Sequence, residues 1–309
     1  MGLARELLLR GSESRWLADQ LSRRRFVRRA TTRFMPGESM NDALEAARSL
    51  GEKGITAILT LLGENVGDVS AATTVTGELS ALIDRSAESK LDVDISVKPT
   101  HVGLDLGFEV AERNLGALAT AAARHGQLVA VDMESTRYCD PTLDLYRVLR
   151  SEHDNVGICL QSYLYRSDAD LEELIELSPM IRLVKGAYKE PADLAYPRKA
   201  DVDDSYLRLS EAMLEAARDG KARVAFGTHD AAMIAEINRR AADMKCPREC
   251  YEFQMLYGIE RDLQTRLAES GYRMRVLISY GAYWFPWYMR RLAERPANVG
   301  FVLRSMLRG

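Results

Sequence analysis

From Gly54 onward the chain alternates eight short apolar runs with longer amphipathic segments, and that rhythm leaves few folds open. The runs occupy residues 55–62, 93–97, 128–133, 156–160, 181–184, 223–226, 251–256 and 275–279. Each is rich in Val, Ile or aromatic residues and brief enough to be a buried strand. The stretches 71–87, 108–124, 171–177, 205–218, 231–242 and 258–268 read as helices between them. Such alternation predicts a parallel sheet, and eight strands is the number that closes a (β/α)8 barrel. An open doubly wound sheet alternates too. No strand here leads into a Gly-x-Gly-x-x-Gly turn, so a dinucleotide site of Rossmann type is not expected.

Ahead of this rhythm, residues 3–9, 16–26 and 40–50 read as helices, the last opened by Ser39 or Asn41 as a cap. No Pro/Ser-rich linker or low-complexity segment interrupts the 309 residues, a length normal for one α/β barrel. The expected organisation is an N-terminal helical extension, residues 1–50, on a barrel of residues 51–309 that carries the binding sites. A formal charge of −3 argues against a nucleic-acid partner, whose usual footprint is a basic face. The four cysteines are scattered and read as reduced cytosolic thiols. Cys246 and Cys250 have no matching Cys or His pair nearby, and no metal site is expected. No apolar run approaches the ~18 residues needed to span a bilayer. Leu7-Leu8-Leu9 is too short to be a signal-peptide core. Arg23-Arg24-Arg25 and Arg28-Arg29 make a basic cluster, either a solvated helix face or a weak attraction to anionic lipid.

In a barrel, chemistry sits where strands end. Strand two ends in Lys98-Pro99-Thr100-His101, strand three in Asp132-Met133-Glu134 and strand four in Gln161-Ser162-Tyr163. Strand five carries Arg182 and ends in Lys185-Gly186-Ala187-Tyr188, and strand six ends in Gly227-Thr228-His229-Asp230. Strand seven carries Gln254 and ends at Leu256; strand eight ends at Ser279-Tyr280-Gly281. Burying so many polar groups on one rim without a ligand would leave costly unpaired donors and acceptors. Local roles remain open for several of them. Lys98 could bridge to Asp132, Arg182 could pair with an acid in the next layer, and His229 could cap the helix starting at Asp230. The Gly227-Thr228-His229 turn could equally cradle an anion through backbone N–H groups and the helix dipole.

Beyond Gly281 the sequence predicts an aromatic-rich helix bearing adjacent arginines, Arg290 and Arg291. Among Trp284, Trp287, Tyr288 and Met289, two guanidinium groups cannot both reach water easily. A small carboxylate held between their forks would resolve the conflict.

Taken in order, these motifs resemble the proline dehydrogenase (proline oxidase) family, and most closely its short monofunctional bacterial type. The residues that carry the resemblance are Ser96-Val97-Lys98-Pro99, Val131-Asp132-Met133-Glu134, Ile181-Arg182-Leu183-Val184-Lys185-Gly186-Ala187-Tyr188, Gly227-Thr228-His229-Asp230, Tyr251-Glu252-Phe253-Gln254-Met255-Leu256 and the run from Tyr288 to Asn298. The resemblance implies a distorted (β/α)8 TIM barrel holding noncovalent FAD with its ring at the strand C-termini. It implies oxidation of L-proline to 1-pyrroline-5-carboxylate, with hydride transfer to flavin N5. It places Arg290, Arg291 and Lys98 on the substrate carboxylate, and Tyr188, Leu256, Leu277, Tyr280 and Trp287 around the substrate pocket. Arg182 is expected near flavin N5, Gln161 at the pyrimidine edge and Asp132 beside the pocket. Val184, Lys185, Gly186, Ala187, Thr228 and His229 are expected along the rest of the cofactor. A quinone or other electron acceptor is implied, for a cytoplasmic protein that touches the inner face of the membrane only peripherally.

The physical chemistry agrees with that assignment. Cationic Arg290, Arg291 and Lys98 would lower the pKa of a substrate amine, because like charges disfavour its protonated form. A positive Arg182 beside N5 would stabilise negative charge on the reduced flavin. Two positions depart from the family pattern: Leu277 and Trp287 stand where tyrosines are usual. They open the alternative of a proline analogue as substrate, such as hydroxyproline or an N-alkyl or six-membered imino acid in a biosynthetic pathway. A non-catalytic ligand-binding barrel is the third reading.

Overall fold

The computed structural model describes residues 33–177 and 179–285. Eight parallel strands, each beside its sequence neighbours, close into a barrel. They are β1 (Thr56–Leu61), β2 (Val93–Val97), β3 (Val129–Val131), β4 (Val156–Gln161), β5 (Met180–Val184), β6 (Arg223–Gly227), β7 (Tyr251–Leu256) and β8 (Arg273–Tyr280). Closure is made by β1 on β8, in register from Thr56↔Arg275 to Leu61↔Tyr280. Helix α1 (Met40–Gly51) precedes β1, and α2 (Val69–Glu88), α3 (Phe108–Ala123), α4 (Cys139–Glu152), α5 (Ser167–Ile175), α6 (Lys199–Arg218), α7 (Ala231–Asp243) and α8 (Arg261–Glu269) follow the first seven strands.

Every strand read from the sequence is present, and the expected barrel is the observed one. Helix α4 is not among the helices read from the sequence, and it carries Pro141 near its start. A proline in the first helical turn removes only an N–H that has no intrahelical partner there, so α4 tolerates it. Helix α6 begins at Lys199 rather than 205. Ser39, not Asn41, caps α1: its hydroxyl accepts from Asp42 N–H while the Asp42 carboxylate accepts from Ser39 N–H, a capping box. The helices expected at 3–9 and 16–26 lie outside the described residues.

Strand alternation divides the core in two. Outward residues such as Leu59, Ile95, Ile158, Leu183, Phe226 and Ile278 pack with Leu82, Leu118, Tyr146, Leu209 and Ile237 of the helices. Burying each such side chain fully is worth about 1.5–3 kcal/mol, and this layer is the main adhesive of the fold. Inside the barrel a smaller apolar cluster joins Ile58, Leu128, Ala130, Met180 and Ala225, with Leu277 against it. Near the strand N-termini the interior is ionic. The Arg275 guanidinium lies 3.1 Å from Asp94 Oδ2 and 3.2 Å from Glu252 Oε1, and donates to the Ala57 carbonyl at 2.9 Å. Burial would raise the Glu252 carboxyl, but Arg275 and the Gln254 amide outweigh it and hold the group below its ordinary value.

Helix α1 packs on β1 and β8, and the residues before it reach the opposite end of the barrel. There Phe34 and Met35 are buried. Gly258, just past β7, sits so close to this segment that a Cβ would lie 1.6 Å from the Arg33 carbonyl oxygen. Trp284 Nε1 donates to Glu38 Oε1 at 3.0 Å. No helix among the described residues is long and apolar enough to cross a membrane.

Candidate active site

A cavity of about 520 Å³ lies at the C-terminal ends of the strands and is lined by residues from all eight strands or the positions just past them. Its walls include Lys98, Asp132, Gln161, Arg182, Val184, Lys185, Gly186, Ala187, Tyr188, Thr228, His229, Leu256 and Leu277, all chosen from the sequence. Tyr280 is not brought there. The β8 alternation that points Leu277 and Ser279 into the barrel turns Tyr280 outward into the layer shared with the helices. Arg290, Arg291 and Trp287 lie outside the described residues.

Arg182 forms the floor. Only 5% exposed, it pairs with Asp132 and donates to Ser96 Oγ at 3.1 Å and Gln254 Oε1 at 3.4 Å. Ser96 in turn donates to Asp132 at 2.8 Å. Burial opposes the Arg182 charge, and the Asp132 carboxylate outweighs it, so the guanidinium stays protonated. The expected alternative of a Lys98–Asp132 bridge is therefore not what forms. Asp132 turns to the cation in the next layer down, and no described carboxylate lies within ion-pair distance of Lys98.

Above this floor, hydrogen bonds stitch neighbouring rim loops together. Asn65 N–H donates to Thr100 Oγ1 at 3.2 Å, and Thr100 donates through its hydroxyl and its N–H to the Glu134 carboxylate, at 2.7 and 3.0 Å. Burial pushes Glu134 up to about 7 in spite of those donors. His101 is pressed against Gly63, where a Cβ would lie 2.1 Å from its Nε2. Burial, then the charge of Lys98, lowers it to about 4, so the imidazole is neutral at pH 7. Gln161 directs both amide hydrogens to backbone, its Nε2 lying 2.8 Å from Met133 O and 3.0 Å from Glu134 O. Among the described residues its Oε1 is buried with no partner, as is Ser279 Oγ.

The opposite side of the cavity is cationic. Lys185 and Lys199 share the Asp203 carboxylate. Gly186 adopts φ +113°, and a Cβ there would lie 2.2 Å from the Tyr163 ring. Gly227 likewise has no room, with Val184 Cγ1 2.8 Å from the position of a Cβ. The Gly227-Thr228-His229 turn does not offer the free backbone cradle its sequence suggested. Asp230 caps α7 and accepts from Ala232 and Met233 N–H, while Thr228 Oγ1 accepts from Asp230 N–H. His229 is not the cap; its Nε2 accepts from Leu256 N–H at 2.8 Å, which places the ring proton on Nδ1.

Sequence reading missed several members of this site. Ser96 shares the inward face of β2 with Lys98, and period-2 alternation could have found it. Lys199 and Asp203 form an i,i+4 pair that looks like an ordinary solvated helix pair, and only the Lys185 contact from the loop after β5 ties it to the cavity. Cys159 reads as one more apolar strand residue. Glu190 is a further case: its carboxylate accepts from Thr136 N–H at 2.9 Å and from the Thr136 hydroxyl at 2.6 Å, fastening the Tyr188 loop to the segment after β3.

Known proteins resemble this chain in sequence and in fold. A proline dehydrogenase family model matches residues 43–304. The chain is 38% identical to proline dehydrogenase 1 of Bacillus subtilis (strain 168) over 282 residues, which is 91% of this chain and 92% of that protein. It is 39% identical over 296 residues to the proline dehydrogenase of Deinococcus radiodurans, covering 94% of each. Among solved structures, proline utilization A from Bdellovibrio bacteriovorus, inactivated by N-propargylglycine, matches with a TM-score of 0.81 and 25% identity over 87% of this chain. The chain spans 33% of that longer one.

Proposed function

The chain belongs to the proline dehydrogenase family, and on that premise we propose that it oxidises L-proline to 1-pyrroline-5-carboxylate with noncovalent FAD held in the eight-strand cavity. The observation that carries the cofactor assignment is the Gln161 amide. With both its hydrogens committed to Met133 and Glu134 carbonyls, it keeps a buried acceptor unpaired among the described residues. An imide N–H, such as the pyrimidine edge of an isoalloxazine carries, satisfies an acceptor of this kind. Lys185 and Lys199 supply positive charge suited to a pyrophosphate. Val184, Gly186, Ala187, Thr228 and His229 complete this wall. The bound flavin supplies a two-electron acceptor.

The chain's own residues position the substrate and set the charge around it. Arg290 and Arg291, together with Lys98, hold the proline carboxylate and favour the neutral amine that oxidation requires. Tyr188, Leu256, Leu277 and Trp287 bound the ring, which removes freedom before the reaction. Arg182 is a fixed buried cation that favours extra electrons on the cofactor, and Asp132 moderates that charge. A ligand-binding barrel without turnover has no use for a desolvated Arg182, so an enzyme is the better reading. The electrons pass on to a quinone or similar acceptor, from a cytoplasmic protein in peripheral contact with the membrane.

A second reading keeps the chemistry and changes the substrate to a proline analogue. It is favoured by the β8 wall, where apolar Leu277 packs towards Ile58 and Ala225 while Ser279 keeps an unpaired hydroxyl. The deciding experiment is anaerobic titration of the purified protein with proline and its analogues, followed by visible absorbance. Bleaching of a flavin spectrum by proline supports the first reading, and bleaching by an analogue alone supports the second. A colourless protein that takes up no added FAD overturns both. Arg290→Met and Arg291→Met should each lower kcat/KM by an amount equivalent to about 2–4 kcal/mol.

A further inference from the structure

Arg182 is held from two sides, and only one of them is ionic. On the β2–β3 side Asp132 and Ser96 bind its Nη2; on the β7 side the only described contact is Gln254 Oε1, 3.4 Å from Nη1. An amide can turn either end towards a neighbour, so something must decide that Gln254 presents its oxygen. Glu252 decides it. Gln254 Nε2 donates to Glu252 Oε1 at 2.6 Å, and the same carboxylate oxygen is fixed by Arg275 Nε at 3.2 Å. Arg275 is anchored in turn on Asp94 and the Ala57 carbonyl. All these groups are buried: Glu252 is 2%, Arg275 3% and Gln254 4% exposed. Reversing the amide would set its NH2 against a guanidinium and its oxygen against a carboxylate, two repulsive contacts in a medium that screens poorly.

We propose that Gln254 is a positioning residue for the reaction: oriented by the Arg275–Glu252 pair, it holds the Arg182 guanidinium at the cavity floor and so sets the reduction potential of the cofactor. This deepens the proposed function and rests on the cavity being a flavin site. Without Gln254, Arg182 loses its hydrogen bond on the β7 side and turns towards Asp132, whose charge cancels its own.

The test compares the FAD-loaded parent with Gln254→Leu and Gln254→Glu, measuring flavin content, midpoint potential by dye equilibration, and steady-state kinetics on proline. Gln254→Leu should bind flavin but lose about tenfold in preference for the reduced form, a fall of about 30 mV for a two-electron couple. Its kcat should fall with little change in KM, because the carboxylate clamp lies elsewhere. Gln254→Glu preserves the shape and covers the case in which the leucine variant does not fold. Its carboxyl, facing Glu252, Arg182 and Arg275, can share a proton with Glu252 at low pH, so its potential should lie near the parent's there. The gap should widen as the pH rises and the pair ionises. A merely structural glutamine would lower Tm and leave the potential alone. Potentials equal to the parent's in the folded, flavin-loaded variants at every pH overturn the proposal. A parent that binds no flavin overturns it together with the reading on which it rests.

Discussion

Asp132 and Arg182 meet across an intervening strand. One follows β3 and the other lies on β5, with Cys159 of β4 between them in the sheet. The thiol between the two charges is itself pushed up by burial, so it stays a neutral spacer. The pair can therefore interact directly, and several consequences of that arrangement and of its neighbours are measurable.

Asp132→Ala should cost about 3–5 kcal/mol, because it removes the one described ion pair of a buried guanidinium. Asp132→Asn, which keeps an acceptor, should cost less. Urea denaturation of the two variants gives the comparison. Equal stabilities for Ala and Asn would show that the carboxylate is not what compensates Arg182.

Glu134 should give the protein a pH-dependent stability. Its folded pKa of about 7 stands above the ordinary 4.5, so between those values the folded state binds more protons than the unfolded one. Its contribution is full below about pH 4.5 and is lost as the pH rises through about 7, with a slope of at most about 1.4 kcal/mol per pH unit. Glu134→Gln should flatten that part of the curve. The check is chemical denaturation at several pH values, and an unchanged slope in the variant would assign the dependence to another group.

Gly186→Ala should destabilise by about 2–4 kcal/mol, since it combines a positive φ with a methyl group thrust into the Tyr163 ring. Gly186 also lines the cavity, so flavin retention on dilution should fall in parallel. A variant as stable as the parent would mean that the loop relaxes freely.

Glu190→Ala should loosen the loop that carries Ala187 and Tyr188, because both of its bonds to Thr136 disappear. KM for proline should rise several-fold, on the order of 1 kcal/mol for bonds to a charged acceptor, with a smaller change in kcat. Limited proteolysis within residues 185–198 should accelerate. Unchanged KM and cleavage would show that the loop is held by its other contacts.

The barrel was legible because its strands are buried on both sides and read as continuous apolar runs, and because Lys98, Asp132, Gln161 and Thr228 sit at their ends. Partnership was less legible. Strand alternation says that Lys98, Asp132 and Arg182 face inward, but not at what depth, and depth decides that Asp132 joins Arg182 rather than Lys98. The His229 turn shows a second limit. Its residue types suit an anion cradle, yet Asp230 and Thr228 already occupy the amides that the cradle needs. Tyr280 illustrates a third, since one step along β8 exchanges the cavity for the helical layer.

Barrel closure joins Thr56–Leu61 to Arg273–Tyr280, pairing segments from opposite ends of the described chain. Long-range pairing of this kind must wait until nearly all of the chain is present. The Arg182 floor, Gln161 and the Leu277 wall come from strands that reach their mutual positions only after β8 has docked. A nascent chain that stops short of β8 therefore has the parts of the cavity without the cavity. On the proposed function, cofactor loading would follow closure, and its success would report that the ring of strands has shut.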